Sequence, residues 1–171
     1  MAEKTWQFQS EDWETISLHD CRISSIEQTE SRLILSFAEG FDVERGNARN
    51  PTGRHRNTGP SAVILEGGRF LEGAFDRNVM QSVRSADGTF RDVPLQEHPM
   101  DEDTFLHKLE LEIMAYQWDR EKGRFTLDCD NLTNEGPWPR IGCQIVLACD
   151  RAVFCWNDLP RDAWFQRTGE I

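Results

Sequence analysis

The chain has 171 residues and a mass of 19.8 kDa, enough for one domain with a substantial core and short for two. Its 38% hydrophobic residues and 12 glycines are the composition of a folded chain rather than a disordered one. Nineteen Lys and Arg against 30 Asp and Glu leave a net charge of −11, which repels phosphate backbones and anionic membrane surfaces and argues against a general nucleic-acid binder. Apolar segments such as Ile145 to Ala148 are far from the roughly 20 residues of a membrane helix. The N-terminus lacks a basic region followed by an apolar one, so a soluble, cytoplasmic protein is expected.

In chain order the pattern is mostly one of strands. Residues 6–9 alternate apolar and polar, and Cys21–Ile26 with Arg32–Phe37 reads as a hairpin around residues 28–31. Phe41–Glu44 and Ser61–Glu66 continue the pattern. Asp87-Gly88 marks a hairpin between Val79–Val83 and Thr89–Leu95. Leu109, Leu111 and Ile113 alternate with Lys108, Glu110 and Glu112, so Phe105–Trp118 is predicted as a strand, with Asp101–Asp103 a solvated turn before it. A turn at 119–123 leads to a strand from Arg124 to Cys129, and Ile141–Ala148 and Ala152–Trp156 read as a meander around 149–151. Pro160–Arg167 has room for one helical turn. Nine or ten short strands without an internal repeat predict a single all-β domain over residues 1–171, an antiparallel sandwich or a closed barrel. Six tryptophans and ten phenylalanines argue for a filled interior over a hollow carrier.

Four constellations bear on function. The connection from Arg45 to Pro60 holds Arg45, Arg49, Arg54 and Arg56 with His55 and no acid. It offers a site for a carboxylate or phosphate, or else a basic loop folded over the acidic first 44 residues, which carry ten acids and three bases. It lacks the pattern of a phosphate-binding P-loop. His19, Asp20 and Cys21 stand in a row; on a strand their side chains alternate between faces, so they converge only if the chain turns there, as a structural turn or a site. The five cysteines, with Cys143, Cys149 and Cys155 six apart, do not have zinc-knuckle spacing and read as reduced, buried thiols; His55, His98 and His107 are scattered, and no metal or cofactor is expected. Trp138, between Pro137 and Pro139, is the tryptophan placed to act as a contact residue. Nucleophile-elbow and dinucleotide fingerprints are absent.

Leu18-His19-Asp20, Ile23, then Leu33–Phe37 and Gly40-Phe41 resemble the N-terminal hairpin of several poorly characterised bacterial all-β domain families, some grouped with immunity proteins of toxin systems. The resemblance covers about the first 45 residues. It implies a small cytoplasmic β-domain and assigns no catalytic role to His19 or Asp20. The expectation is an interaction module, monomer or homodimer, for a protein partner or a small anionic ligand. The alternative is an enzyme or a carbohydrate- or anion-binding protein with its site near His19 and the Arg45–Pro60 loop.

Overall fold

The computed structural model describes residues 4–76, 80–94, 100–138 and 140–167. Numbered in chain order, β1 (Phe8–Ser10), β15 (Arg151–Trp156), β8 (Ser61–Glu66), β5 (Arg32–Phe37) and β4 (Ser25–Gln28) lie side by side in one sheet. A second holds β3 (Cys21–Arg22), β12 (Leu111–Asp119), β13 (Arg124–Asn131), β14 (Gly142–Ala148) and β9 (Arg69–Phe75). Both are antiparallel and open, with β1 and β4 at the edges of one and β3 and β9 at those of the other. The fold is therefore sandwich-like all-β and not a closed barrel. Four two-residue strands, β16 (Arg161–Asp162), β7 (Arg56–Asn57), β6 (Asp42–Val43) and β2 (Ile16–Ser17), form a small third sheet. β10 (Met80–Arg84) and β11 (Phe90–Pro94) form a separate hairpin.

Period-2 patterning explains the core. Leu33, Leu35 and Phe37 on β5 point inward, as do Phe125, Leu127 and Cys129 on β13 and Cys143, Ile145 and Leu147 on β14. One hydrophobic cluster joins these residues from both sheets, and the Tyr116 and Phe154 rings meet at 5.9 Å between them. Residues 152–156 are buried consecutively, so β15 is covered on both faces. Of the six tryptophans only Trp118 and Trp156 are buried; phenylalanines 37, 41, 105, 125 and 154 fill more of the interior.

Several expected connections differ. The first hairpin is split: Cys21–Arg22 pairs with β12 in the second sheet, whereas Ser25–Gln28 pairs with β5 in the first. The chain changes layer at Ile23–Ser24. The supposed meander is likewise a crossing, because β14 pairs with β13 while β15 pairs with β8. Phe105–His107 is not strand but the end of helix α1 (Glu102–His107); Asp101 accepts the Thr104 N–H at 2.8 Å and caps it, so Asp101–Asp103 starts a helix. Strand β9 had no expectation. The hairpin at Asp87-Gly88 is present, although Val79 and Leu95 lie outside the described residues. A short helix, α2 (Trp164–Arg167), forms where one turn was expected.

At the exit of β5, Gly40 has φ +83°, and a Cβ there would overlap the Gly59 carbonyl oxygen. Phe41 and Thr58 exchange backbone and hydroxyl hydrogen bonds beside it, 2.9 and 3.1 Å long. Gly40→Ala therefore combines a left-handed backbone with a clash against main chain, and is expected to lower stability by about 2–4 kcal/mol. Urea unfolding checks this, and a midpoint equal to that of the parent chain refutes it.

Candidate ligand cleft

The His19–Asp20 segment turns. Cys21 N–H bonds the Leu18 carbonyl at 3.1 Å, and Asp20 takes φ +59°, a region that Asp tolerates better than most residues. Opposite it, β12 carries a bulge between Ile113 and Ala115. Asp20 N–H bonds the Ile113 carbonyl at 2.8 Å, and His19 Nδ1 donates to the Met114 carbonyl at 2.7 Å. His19 Nε2 lies 3.4 Å from the Asp20 carboxylate, with both side chains about half exposed. The carboxylate thus meets its neighbour's ring rather than a backbone N–H. This pair satisfies the carbonyl that the bulge frees from the ladder.

The Arg45–Pro60 connection is built by asparagines. Asn50 Nδ2 reaches the carbonyls of Val43, Glu44 and Arg54 at 2.7–3.1 Å, while its Oδ1 accepts from Thr52. Asn47 Nδ2 bonds Thr15 Oγ1 at 2.8 Å, and its Oδ1 accepts the Arg49 N–H. The backbone N–H groups of Asn47, Arg49, Asn50, Thr52 and Arg54 are spent on these local bonds and are not free for an anion. The acid missing from the loop arrives from β16: Arg54 and Arg56 both grip Asp162, at 3.0 and 2.8 Å, and Arg56 also donates to the Leu159 carbonyl. His55 packs edge-on against Phe165, at 5.4 Å. Arg45 and Arg49 are exposed and make no ion pair among the described residues.

Cysteine chemistry is quiet here. Burial pushes the thiols of Cys21, Cys143, Cys149 and Cys155 up to about 12 and that of Cys129 up as well, which keeps them protonated at neutral pH. Among the described residues, no three His, Cys, Asp or Glu side chains gather as metal ligands.

A cleft of about 590 Å³ opens elsewhere, between residues 107–110 and the loop of residues 133–136 with Trp138. Its two walls are the segment entering β12 and the loop leaving β13, strands paired at Leu111 and Asn131. Thr133 locks them together: its hydroxyl accepts the Glu110 N–H at 2.8 Å and donates to Asn131 Oδ1 at 2.5 Å, and Leu132 N–H bonds the Glu110 carbonyl. Gly136 has φ +86°, and a Cβ there would overlap the six-membered ring of Trp138, so the indole lies directly on the backbone. Trp138 is half-buried and outside the core cluster. Lys108 Nζ pairs with Asp103 at 2.6 Å and stands 6.0 Å from the centre of the indole.

Of the residues proposed from the sequence as site residues, Trp138 alone lines this cleft; His107, read there only as one of the scattered histidines, lines it too. Arg45, Arg49, Arg54, His55 and Arg56 cluster around the third sheet, and His19 and Asp20 lie at the β12 bulge. His107, Lys108, Glu110 and Glu135 were not expected to share a site with Trp138, and only the Gly-Pro-Trp-Pro spelling pointed to the loop.

Two arginines on one carboxylate have a measurable consequence. The Arg56 hydrogen bond and both guanidinium charges hold the Asp162 carboxyl below the usual carboxylate range. Its contribution is present above the unfolded-chain value and is lost as pH falls through the lowered native value. Asp162→Asn is expected to speed amide exchange of Ala163, which bonds the His55 carbonyl at 3.0 Å, at neutral pH; the parent chain gains the same exchange only in strong acid. Unchanged protection in Asp162→Asn refutes the coupling. Among the described residues no helix is long and apolar enough to cross a membrane. The chain matches no protein-family model, no curated protein and no solved structure.

Proposed function

We propose that the chain is an interaction module that takes its partner, a protein segment or a small ligand, in the Trp138 cleft. The observation that carries this reading is a large aromatic ring, half-buried, seated on Gly136 at the wall of an open cleft. Its volume is within the range of ligand sites, roughly 300–1,000 Å³. A ring already fixed in place loses little conformational freedom on binding, which is how rigid tryptophans come to dominate interfaces. Trp138 contributes to no core contact that would explain its size. The alternative of an anion or catalytic site at the arginine loop draws less support, because Asp162 stands where an anion would meet Arg54 and Arg56.

The test uses protein labelled with 5-fluorotryptophan, in which the Trp138 resonance is identified by its loss in Trp138→Phe. Peptides, sugars and small anions are screened against it. Ligands are expected to move this resonance and not those of buried Trp118 and Trp156, and Trp138→Ala is expected to weaken them about tenfold or more with little change in the unfolding midpoint. Ligands that bind Trp138→Ala equally well overturn the reading.

A further inference from the structure

Resting on that reading, the charges around the ring indicate what the cleft holds. Glu110 and Glu135 project from opposite walls. Lys108 is the one permanently cationic residue in the lining, and it is neutralised by Asp103. The cleft also lies at the end of an acidic track on the second sheet: Glu112 faces Asp130 directly across β12 and β13, and Asp128 follows. An indole face attracts cations, and nearby carboxylates strengthen that attraction. Anions are repelled by the same groups.

A second slot of about 180 Å³ shares His107 and Leu109 with the cleft and is lined also by Ile23, Ile26, Leu106 and Leu111. It lies between β4, the outermost strand of its sheet among the described residues, and the end of helix α1, which packs beside that strand. An apolar slot and a cation seat that share a wall at His107 and Leu109 suit an extended peptide whose nearby side chains fill the two pockets.

We propose that the site binds an extended, basic segment of a partner protein, with an aliphatic side chain in the Ile26–Leu106 slot and an arginine or lysine on the face of Trp138 between Glu110 and Glu135. In the free protein Lys108 holds the approach to this seat, and the incoming cation displaces it.

The probes are capped hexapeptides in a glycine–serine background with one leucine and one arginine one to three residues apart, and matched peptides with citrulline for arginine or serine for leucine. Each is titrated against the fluorotryptophan-labelled chain. The arginine–leucine peptides are expected to move the Trp138 resonance and to bind at least fivefold more tightly than either control. Trp138→Ala, which leaves every charge in place, is expected to weaken them tenfold or more, while Trp164→Ala, at an exposed tryptophan outside the cleft, changes binding less than twofold. Lys108→Met is expected to tighten binding several-fold, and Lys122→Met, the same charge change at a distant turn, is not. Binding that ignores Trp138→Ala, or equal effects of the two lysine variants, assigns the attraction to the acidic surface at large and overturns the proposal. If oligosaccharides or phosphate move the Trp138 resonance and the peptides do not, the peptide assignment fails while the cleft remains a binding site. If no probe moves it, both fail.

Discussion

Two sheets bury their inner faces only if each long strand keeps its apolar residues on one side, and β12 does so through the bulge at Met114. Before the bulge the inward residues are Leu111 and Ile113; after it they are Tyr116 and Trp118. Without the extra residue the second pair would face solvent, since a one-residue slip exchanges the faces of a strand. Tyr116 then reaches under the N-terminal segment, its hydroxyl 2.7 and 2.6 Å from the Trp13 and Ile16 carbonyls. The desolvation that this position imposes pushes its phenol upward, so it stays a donor. His19 is drawn into the same arrangement by the carbonyl that the bulge exposes. A histidine beside an aspartate in the sequence is thus accounted for by backbone geometry 95 residues away.

Strand positions were legible where alternation was strong and uninterrupted. β5, β13 and β14 alternate, and their sequences say so, while β8 shows as a short continuous apolar run, Ala62–Leu65, covered on both faces. β9 was illegible because Gly73 interrupts it, it runs at a sheet edge, and its pairing with β14 shifts between Val146 and Leu147. Helix α1 was hidden by its brevity. Six residues carry too little periodicity to compete with the alternating run behind them, although the Asp101 cap was visible three residues before Thr104. Which sheet a strand joins was not legible: β3–β4 and β14–β15 are each separated by two residues, a spacing that suits a hairpin as well as a crossing.

The same limit governs charge. Within the sequence, residues 45–60 are a cationic island in an acidic chain; in the fold, Asp162 lies between Arg54 and Arg56. Arg22 does the converse on the second sheet, pairing with Glu112 at 3.0 Å across from β3. Glu112 and Asp130 stand directly opposite each other, which is unfavourable for like charges in a ladder. Arg22 relieves one of the two. The surplus of acid therefore remains on this outer face and towards the end of β12 and β13, while in the basic loop Asp162 of β16 pairs with Arg54 and Arg56 and leaves Arg45 and Arg49 exposed.

That redistribution bears on the binding proposed for the cleft. Its walls continue directly from the strands that carry Glu112, Asp128 and Asp130, so the field of the acidic face extends to the mouth where Trp138 sits. Long-range attraction of this kind raises the encounter rate of a cation and is weakened by salt, whereas contact with the indole acts only at close range and is much less sensitive to ionic strength. The two contributions divide the work between approach and retention. Lys108, tied to Asp103 and close to the ring, opposes the first only locally and the second directly. On the proposed reading the incoming cation replaces a lysine already in place, and that requirement favours a planar guanidinium, which stacks on an aromatic face and sheds its water more readily than an ammonium does.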